Sequence, residues 1–199
     1  MTQTPMAQLF LQRLGPRRVG TQSADLGRDA LLVLAFSLLT ALSAQVAVPL
    51  PFSPVPLTGQ TFGVLLSGAL LGPRLGAMAM LLYLAEGGLG LPFFAGGAAG
   101  PAHLLGPTAG YLLSYPLAAG LVGWLAVRGW DRRPLTMLAA MLLGSLVIYA
   151  LGAAFLSRFV GAHHALWMGV LPFLPGDVIK ALLAAGLLPL GWKWIGRHK

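Results

Sequence analysis

Apolar residues fill most of the chain in long continuous stretches and do not alternate with polar ones. Charges, glycines and prolines divide them into six, at positions 29–48, 57–71, 75–86, 108–127, 135–156 and 177–194. A continuous apolar stretch of about 20 residues can cross the hydrocarbon core of a bilayer as a helix. The pattern predicts an all-α membrane protein, a bundle of six transmembrane helices whose short second and third members meet in a Gly-Pro turn at 72–76.

Composition excludes an ordinary soluble domain. Of the 199 residues, 57% are hydrophobic and 9% are charged, with a mean hydropathy of +0.79, whereas soluble domains carry about 25% charged residues. A transmembrane barrel would show alternating segments of about ten residues. We expect one membrane-embedded domain at 29–199, preceded by a cytoplasmic extension at 1–28 whose residues 6–13 form a short amphipathic turn on the membrane.

Lysine and arginine concentrate on one side of this topology. Arg158 stands alone on the other side, and Lys180 lies inside the last stretch. Positively charged loops stay in the cytoplasm, so both termini are predicted to be cytoplasmic, and the net charge of +8 needs no nucleic-acid partner. A cleaved signal peptide ending near 41–44 is a competing interpretation that would leave an odd number of spans. The residues counted on the cytoplasmic side are Arg13, Arg17, Arg18, Arg28, Arg74, Arg128, Arg132, Arg133, Lys193, Arg197 and Lys199.

Two loops predicted on the outer side have unusual compositions. Positions 49–56 hold four prolines, which indicates a stiff, extended cover. Positions 87–101 are rich in glycine yet apolar. Irregular backbone near membrane depth is tolerated where protein buries it or where it lines a cavity. The pair of loops predicts a small-molecule pocket that opens outward, with a merely flexible loop as the alternative.

Ionisable residues inside apolar stretches are costly in a bilayer and mark functional positions. Asp177 and Lys180 lie three residues apart on one helix face, and Glu86 closes the third stretch on the same side. One interpretation is an ion pair that satisfies itself, with Asp177 also capping its helix. The other is a ligand site that combines a cation for an anion with an acceptor for N–H groups. Arg74 is interpreted as an anchor in the cytoplasmic turn.

Most aromatic residues near the predicted helix ends are interpreted as interface anchors, among them Tyr111 and Tyr115. Tyr83, one turn before Glu86, is the exception that we place in the site. The adjacent His163 and His164 are interpreted as a surface pair, no metal site is predicted, and the absence of cysteine excludes thiolate ligands. The chain lacks a phosphate-binding loop and the common hydrolase motifs, so any ATP hydrolysis would belong to a partner.

Six ordered motifs closely resemble the BioY family, the biotin-binding S components of energy-coupling-factor (ECF) transporters. They lie at 54–61, 68–76, 83–87, 90–97, 106–111 and 175–180 and span about residues 30–190. The resemblance implies a six-helix bundle in a prokaryotic plasma membrane that captures biotin from outside. It also implies a membrane coupling subunit and ABC-type ATPases as partners, with biotin as ligand and no cofactor.

The resemblance also assigns site residues. The Asp-x-x-Lys motif maps onto Asp177 and Lys180, whose carboxylate would accept N–H bonds from the ureido ring and whose ammonium would pair with the ligand carboxylate. Because biotin is longer than the spacing of this pair, either the two side chains diverge or one of the two acts through the other. Glu86 is expected near the ureido end or paired with a cation outside the pocket. Polar lining is expected from Thr58, Gln60 and Tyr83, and packing against the thiophane ring from Phe93, Phe94 and Gly96.

S components are expected to dock their coupling subunit through small residues of the first helix. Here Ser37 with Ala41, and Thr40 with Ala44, form a small-xxx-small face, with an internal helix contact as the alternative. Other functions stay open at this point. They are an S component for another vitamin, a stand-alone facilitator, and a membrane enzyme using Glu86, His103 or the Asp177–Lys180 pair. A homo-oligomer is also compatible with the sequence.

Overall fold

The computed structural model describes residues 4–7 and 22–197 and is mainly helical. Two short strands, β1 (Ala47–Val48) and β2 (Leu57–Thr58), separate the first two helices. Within the described residues, five helices are long and apolar enough to cross a membrane, and α5 is the short exception. The chain is therefore a multi-pass helical membrane protein. Its helices are α1 (Gln22–Gln45), α2 (Gln60–Gly88), α3 (Ala109–Ala126), α4 (Pro134–Val160), α5 (Ala162–Gly169) and α6 (Leu174–Arg197).

Helix α1 begins at Gln22, seven residues before the apolar stretch that predicted it. The helix thus extends beyond the apolar stretch on its N-terminal side, into residues of the predicted extension at 1–28. Hydropathy marks where a helix enters the hydrocarbon, whereas the hydrogen-bonded backbone continues into the polar headgroup region. Most of the predicted amphipathic turn at 6–13 and of the extension at 1–28 lies outside the described residues.

Helix α2 is broken at Gly72 and folds back on itself. Gly72 has φ +80°, a conformation that favours glycine, and Pro73 follows it. A straight helix would separate Gln60 from Tyr83 by about 34 Å, yet Gln60 Nε2 donates to Tyr83 Oη at 2.5 Å. The two antiparallel arms, 60–71 and 73–88, correspond to the second and third predicted stretches, and the turn between them lies where the Gly-Pro motif predicted it.

Glycines allow the backbones of α2 and α3 to pack closely. A Cβ atom at Gly68 would lie 2.2 Å from the carbonyl oxygen of Ala119, and one at Gly123 would lie 2.4 Å from the carbonyl carbon of Gly72. In a bilayer, where lipid is as apolar as leucine, this van der Waals contact is a main source of helix association. The α2–α3 contact is the most extensive in the bundle; α1 packs against α2, α4 packs against α3, and α5 and α6 pack mainly against α4.

The two irregular loops are held in place at one end of the bundle. Strands β1 and β2 pair antiparallel and close the proline-rich loop, and Ser53 Oγ donates to the Met168 carbonyl at 2.8 Å, which ties this loop to α5. In the glycine-rich segment, the Gly100 N–H donates to the Gly87 carbonyl at the end of α2 at 2.8 Å. These contacts favour the pocket interpretation over a merely flexible loop.

Candidate ligand-binding site

A cavity of about 190 Å³ lies where the proline-rich loop, the glycine-rich segment and helices α2, α3 and α4 meet. Most of its wall is apolar, with hydroxyl and amide groups at a few positions. Such a combination is typical of sites that bind small organic molecules. The wall consists of Pro54, Val55, Pro56, Thr58, Gln60, Thr61, Phe94, Ala95, Ala98, His103, Thr108, Tyr111, Leu112, Tyr115, Ile148 and Tyr149.

Gln60 is the centre of the polar part of the wall. Its side-chain carbonyl oxygen accepts hydrogen bonds from Tyr115 Oη at 3.2 Å and from Thr58 Oγ1 at 3.3 Å, while its amide donates to Tyr83. Tyr83 in turn donates to the Phe93 carbonyl at 3.0 Å. Gln60 is 4% exposed, so this network fixes the orientation of its amide at the cavity.

Asp177 and Lys180 form a second polar cluster beside the cavity. Asp177 Oδ1 accepts from Lys180 Nζ at 2.9 Å, and its Oδ2 accepts from Tyr149 Oη at 2.6 Å and from Ser145 Oγ at 3.2 Å. Asp177 is 5% exposed, and the Lys180 side chain 20%. Buried charges are tolerated when they are paired and hydrogen-bonded in this way.

The pair reaches the cavity through other side chains. Lys180 Nζ donates to the Thr58 carbonyl at 2.8 Å and to Thr61 Oγ1 at 2.7 Å, and Thr61 Oγ1 donates to Asp177 at 3.0 Å. Thr58, Thr61 and Tyr149 belong to the cavity wall, whereas Asp177 and Lys180 do not. The two residues thus form the ion pair of the first interpretation, and they also hydrogen-bond to residues of the cavity wall.

Asp177 does not cap its helix. Helix α6 begins at Leu174, so Asp177 falls in its first turn, and its carboxylate is used by side chains of α2, α4 and α6. The capping prediction is therefore wrong, because the segment Leu174-Pro175-Gly176 starts the helix and does not precede it. Proline fits the first turn of a helix, where its missing N–H is not needed.

The other predicted site residues divide into three groups. Thr58, Gln60 and Phe94 lie in the cavity wall. Tyr83 lies behind the wall, in contact with Phe94 and Tyr115 at ring-centroid distances of 5.8 and 6.3 Å. Phe93 contributes its carbonyl to Tyr83. The third group, Glu86 and Gly96, is absent from the cavity wall formed by the described residues.

For Glu86 and Gly96 the structure gives different local roles. The Glu86 carboxylate accepts a hydrogen bond from the Ser37 hydroxyl of α1, so neither of the two positions expected for it is observed. Gly96 is exposed and has φ +66°, which allows a tight turn between Phe94 and Ala98. Its neighbours Ala95 and Ala98 form the wall in its place.

The predicted docking face on the first helix is buried within the chain. Ser37, Thr40 and Ala44 are 0% exposed and Ala41 is 4% exposed. Gly63 of α2 is so close that a Cβ there would lie 3.2 Å from Thr40 Cα. The prediction that Ser37, Ala41 and Ala44 form an external docking face is therefore wrong for this structure. The alternative, an internal helix contact, is what these small residues make.

Several wall residues escaped the sequence-based prediction. Tyr111 and Tyr115 were interpreted as interface anchors, but they are 6% and 3% exposed and belong to the cavity. Tyr111 points inward because Gly152 and Gly169 leave room for its ring, and its hydroxyl donates to the Gly169 carbonyl at 2.8 Å. Tyr149 was also missed, although its place well inside a long apolar stretch is a signal that separates it from an interface anchor.

Comparison with known proteins identifies relatives across most of the chain. A family model described as "BioY family" matches residues 16–197. A Pyrococcus horikoshii protein named "Probable biotin transporter BioY" is 43% identical over 157 residues, which cover 79% of this chain and 91% of the relative. The "Biotin transporter BioY" of Rhizobium etli is 38% identical over 167 residues, which cover 79% and 89% respectively.

A solved structure also resembles this fold. The crystal structure of "the S-component for biotin from an ECF-type ABC transporter" superposes with a TM-score of 0.77 at 26% sequence identity. The match covers 88% of this chain and 95% of that one. With the extent of the family match and the identity to the transporters above, this shows that the chain belongs to the BioY family.

Proposed function

We propose that this chain is a membrane-embedded biotin-capture subunit that binds biotin in the cavity beside Gln60. The single observation that carries the proposal is the polar network around Gln60 in an otherwise apolar cavity. The relatives named as biotin transporters point to the same ligand. The family assigns a substrate-binding role in transport and not an enzymatic one.

The chemistry of the wall matches the two parts of biotin's ring system. The ureido ring carries two N–H donors and a carbonyl acceptor, and the hydroxyls and amide of Thr58, Gln60, Thr61 and Tyr115 offer complementary groups. The thiophane ring is apolar, and Phe94 and Ile148 offer apolar contact. In this arrangement Asp177 and Lys180 act by positioning Thr58, Thr61 and Tyr149.

Direction and energy supply are further parts of the proposal. The asymmetry of lysine and arginine between the two sides supports cytoplasmic termini, and with them a cavity that opens to the outside of the plasma membrane. Counting the two arms of α2 separately gives six apolar helical segments, an even number that is compatible with both termini on the same side. We propose that a membrane coupling subunit and ABC-type ATPases drive release inward, since the chain carries no phosphate-binding loop.

Ligand competition tests the proposal. Detergent-purified protein, freed of co-purified ligand, is loaded with radiolabelled biotin and challenged with excess unlabelled biotin, thiamine or riboflavin. We expect displacement by biotin alone. Displacement by another vitamin, or no retention of biotin by folded protein, would refute the assignment. Passive biotin flux through liposomes containing only this chain would instead support a stand-alone facilitator.

A further inference from the structure

The ammonium group that the resemblance assigns to the ligand's carboxylate is fully used inside the protein. An ammonium has three protons to donate. Lys180 Nζ lies 2.7 Å from Thr61 Oγ1, 2.8 Å from the Thr58 carbonyl and 2.9 Å from Asp177 Oδ1. Its charge is balanced by Asp177, and it is not part of the cavity wall. Lys180 therefore has no free proton for an anionic ligand, and a group of the cavity wall has to bind the anion instead.

His103 occupies a suitable position. It lies on the short 3₁₀ turn Pro101–Leu104, which follows Gly100, and its side chain forms part of the cavity wall. The imidazole ring packs edge-on against the Phe94 ring, with centroids 6.0 Å apart. Among the described residues, no group hydrogen-bonds to its ring nitrogens. A partly buried imidazole at the cavity with free nitrogens can bind an anion from the ligand.

The titratable side chains on the helices around His103 do not supply a positive charge to the cavity. Its turn packs against α2 and α3. The titratable side chains on α3 are Tyr111 and Tyr115, both neutral near pH 7. Of those on α2, Tyr83 is also neutral, Arg74 lies beside the break at Gly72, and Glu86 accepts from Ser37. Within the described part of the wall, His103 is the one side chain that has a cationic form.

We propose that His103 binds the carboxylate of the ligand and that its protonation makes capture of anionic biotin stronger in mildly acidic solution. This inference rests on the proposed function, since it names the group that recognises biotin's side chain. An imidazolium forms a charge-assisted hydrogen bond to a carboxylate, whereas neutral imidazole donates a weaker one. A ligand carboxyl with an ordinary pKa of about 4.3 stays ionised above about pH 5.5. A change in biotin affinity above that pH therefore reflects a change of charge on the protein.

The test compares biotin with biotinamide, in which an uncharged amide replaces the carboxylate. Binding of both is measured by isothermal titration between about pH 5.5 and pH 8, the range in which histidine changes charge. The proteins are the wild type, His103→Gln and Glu86→Gln. The last is the control, because it removes a titratable carboxylate of α2 that is not part of the described cavity wall. We expect the wild type to bind biotin roughly tenfold more tightly at the acidic end. Biotinamide should show no such change.

The variants separate this role from a structural one. His103→Gln should lose the pH dependence for biotin and keep the wild-type affinity for biotinamide, whereas Glu86→Gln should retain the pH dependence. Biotin affinity that is independent of pH in the wild type, or an equal loss of both ligands in His103→Gln, would overturn the inference. Failure of folded wild-type protein to bind either ligand would instead refute the proposed function on which it rests.

Discussion

Lys180 Nζ donates a 2.7 Å hydrogen bond to Thr61 Oγ1, which joins the last helix of the bundle to the first turns of α2 across 119 positions of sequence. The same Thr61 hydroxyl donates a hydrogen bond to Asp177 Oδ1, and Thr61 also forms part of the cavity wall. The buried Asp177–Lys180 pair therefore positions a residue of the cavity wall, although neither member of the pair belongs to that wall.

Thr61→Val tests this linkage with little change in side-chain volume. The variant leaves Lys180 and Asp177 paired but removes the hydroxyl that connects them to the cavity. We expect biotin affinity to fall about tenfold, as the loss of a hydrogen bond to a charged group predicts. Isothermal titration measures it, with Thr136→Val, whose hydroxyl binds loop carbonyls elsewhere, as the control. Unchanged affinity in Thr61→Val would contradict the linkage.

The Asp177–Lys180 pair should show strong coupling in a double-mutant cycle. Asp177→Asn or Lys180→Met alone leaves an uncompensated charge, so each should lower the free energy of unfolding by about 3 kcal/mol. The double variant should recover much of this loss. Thermal unfolding in detergent measures the cycle, and additive losses would contradict the coupling.

Binding measurements on Lys180→Met distinguish positioning from direct contact with the ligand. If the lysine positions Thr58 and Thr61, biotin and biotinamide should weaken by the same factor. A larger loss for biotin than for biotinamide would place the ammonium at the ligand carboxylate, as the resemblance implied, and would contradict the indirect role.

The close approach of α2 to α3 predicts an asymmetric response to glycine substitution. Gly68→Ala would place a Cβ 2.2 Å from the Ala119 carbonyl oxygen and should destabilise the fold by about 1–3 kcal/mol through overpacking. Gly186→Ala, on α6 with no atom within 4 Å of the added Cβ, is the matched control and should be neutral or slightly stabilising. Equal melting temperatures for the two variants would contradict this packing.

Asp131, on the turn between α3 and α4, predicts a pH-dependent stability. Burial raises the pKa of its carboxyl, and the hydrogen bond from Trp192 Nε1 at 2.5 Å opposes this only in part. Because the folded protein then holds the proton more tightly than the unfolded chain, the free energy of unfolding falls as pH rises through the raised pKa. One carboxylate oxygen is buried without a hydrogen-bond partner among the described residues.

Asp131→Asn retains an acceptor for Trp192 and cannot ionise. We expect it to exceed the wild type in stability by about 1 kcal/mol at neutral pH. The two should converge below about pH 3, where the wild-type carboxyl is protonated in both states. Thermal unfolding across pH measures the difference, and a difference that does not vary with pH would contradict the assignment.

The apolar pattern predicted most of the fold because hydrophobic length and turn chemistry are local properties. The Gly72-Pro73 turn and the stretches on either side are examples, since a left-handed glycine followed by proline breaks a helix wherever it occurs. Helix α1 begins before its apolar stretch, because hydropathy reports the part of a helix inside the hydrocarbon and not the part that continues outside it.

The site was predicted less completely because side-chain direction depends on packing between distant segments. Tyr115 faces the cavity because it bonds to Gln60, and Tyr111 faces inward because Gly152 and Gly169 lack side chains. Spacing along one helix reveals neither relationship. Glu86 shows the converse. Its charge placed it in the predicted site, whereas its carboxylate accepts a hydrogen bond from Ser37 and is not part of the described cavity wall.

The central claim is that the Gln60 network forms the biotin site, and titration calorimetry tests it most directly. Ligand-free protein is titrated with biotin beside Tyr115→Phe, which loses one hydroxyl of the network, and Glu86→Gln, which changes a carboxylate outside the cavity wall. We predict saturable one-to-one binding that weakens about tenfold in Tyr115→Phe and is unchanged in Glu86→Gln. Biotin binding that is insensitive to Tyr115→Phe, or no binding by the folded wild type, would contradict the account.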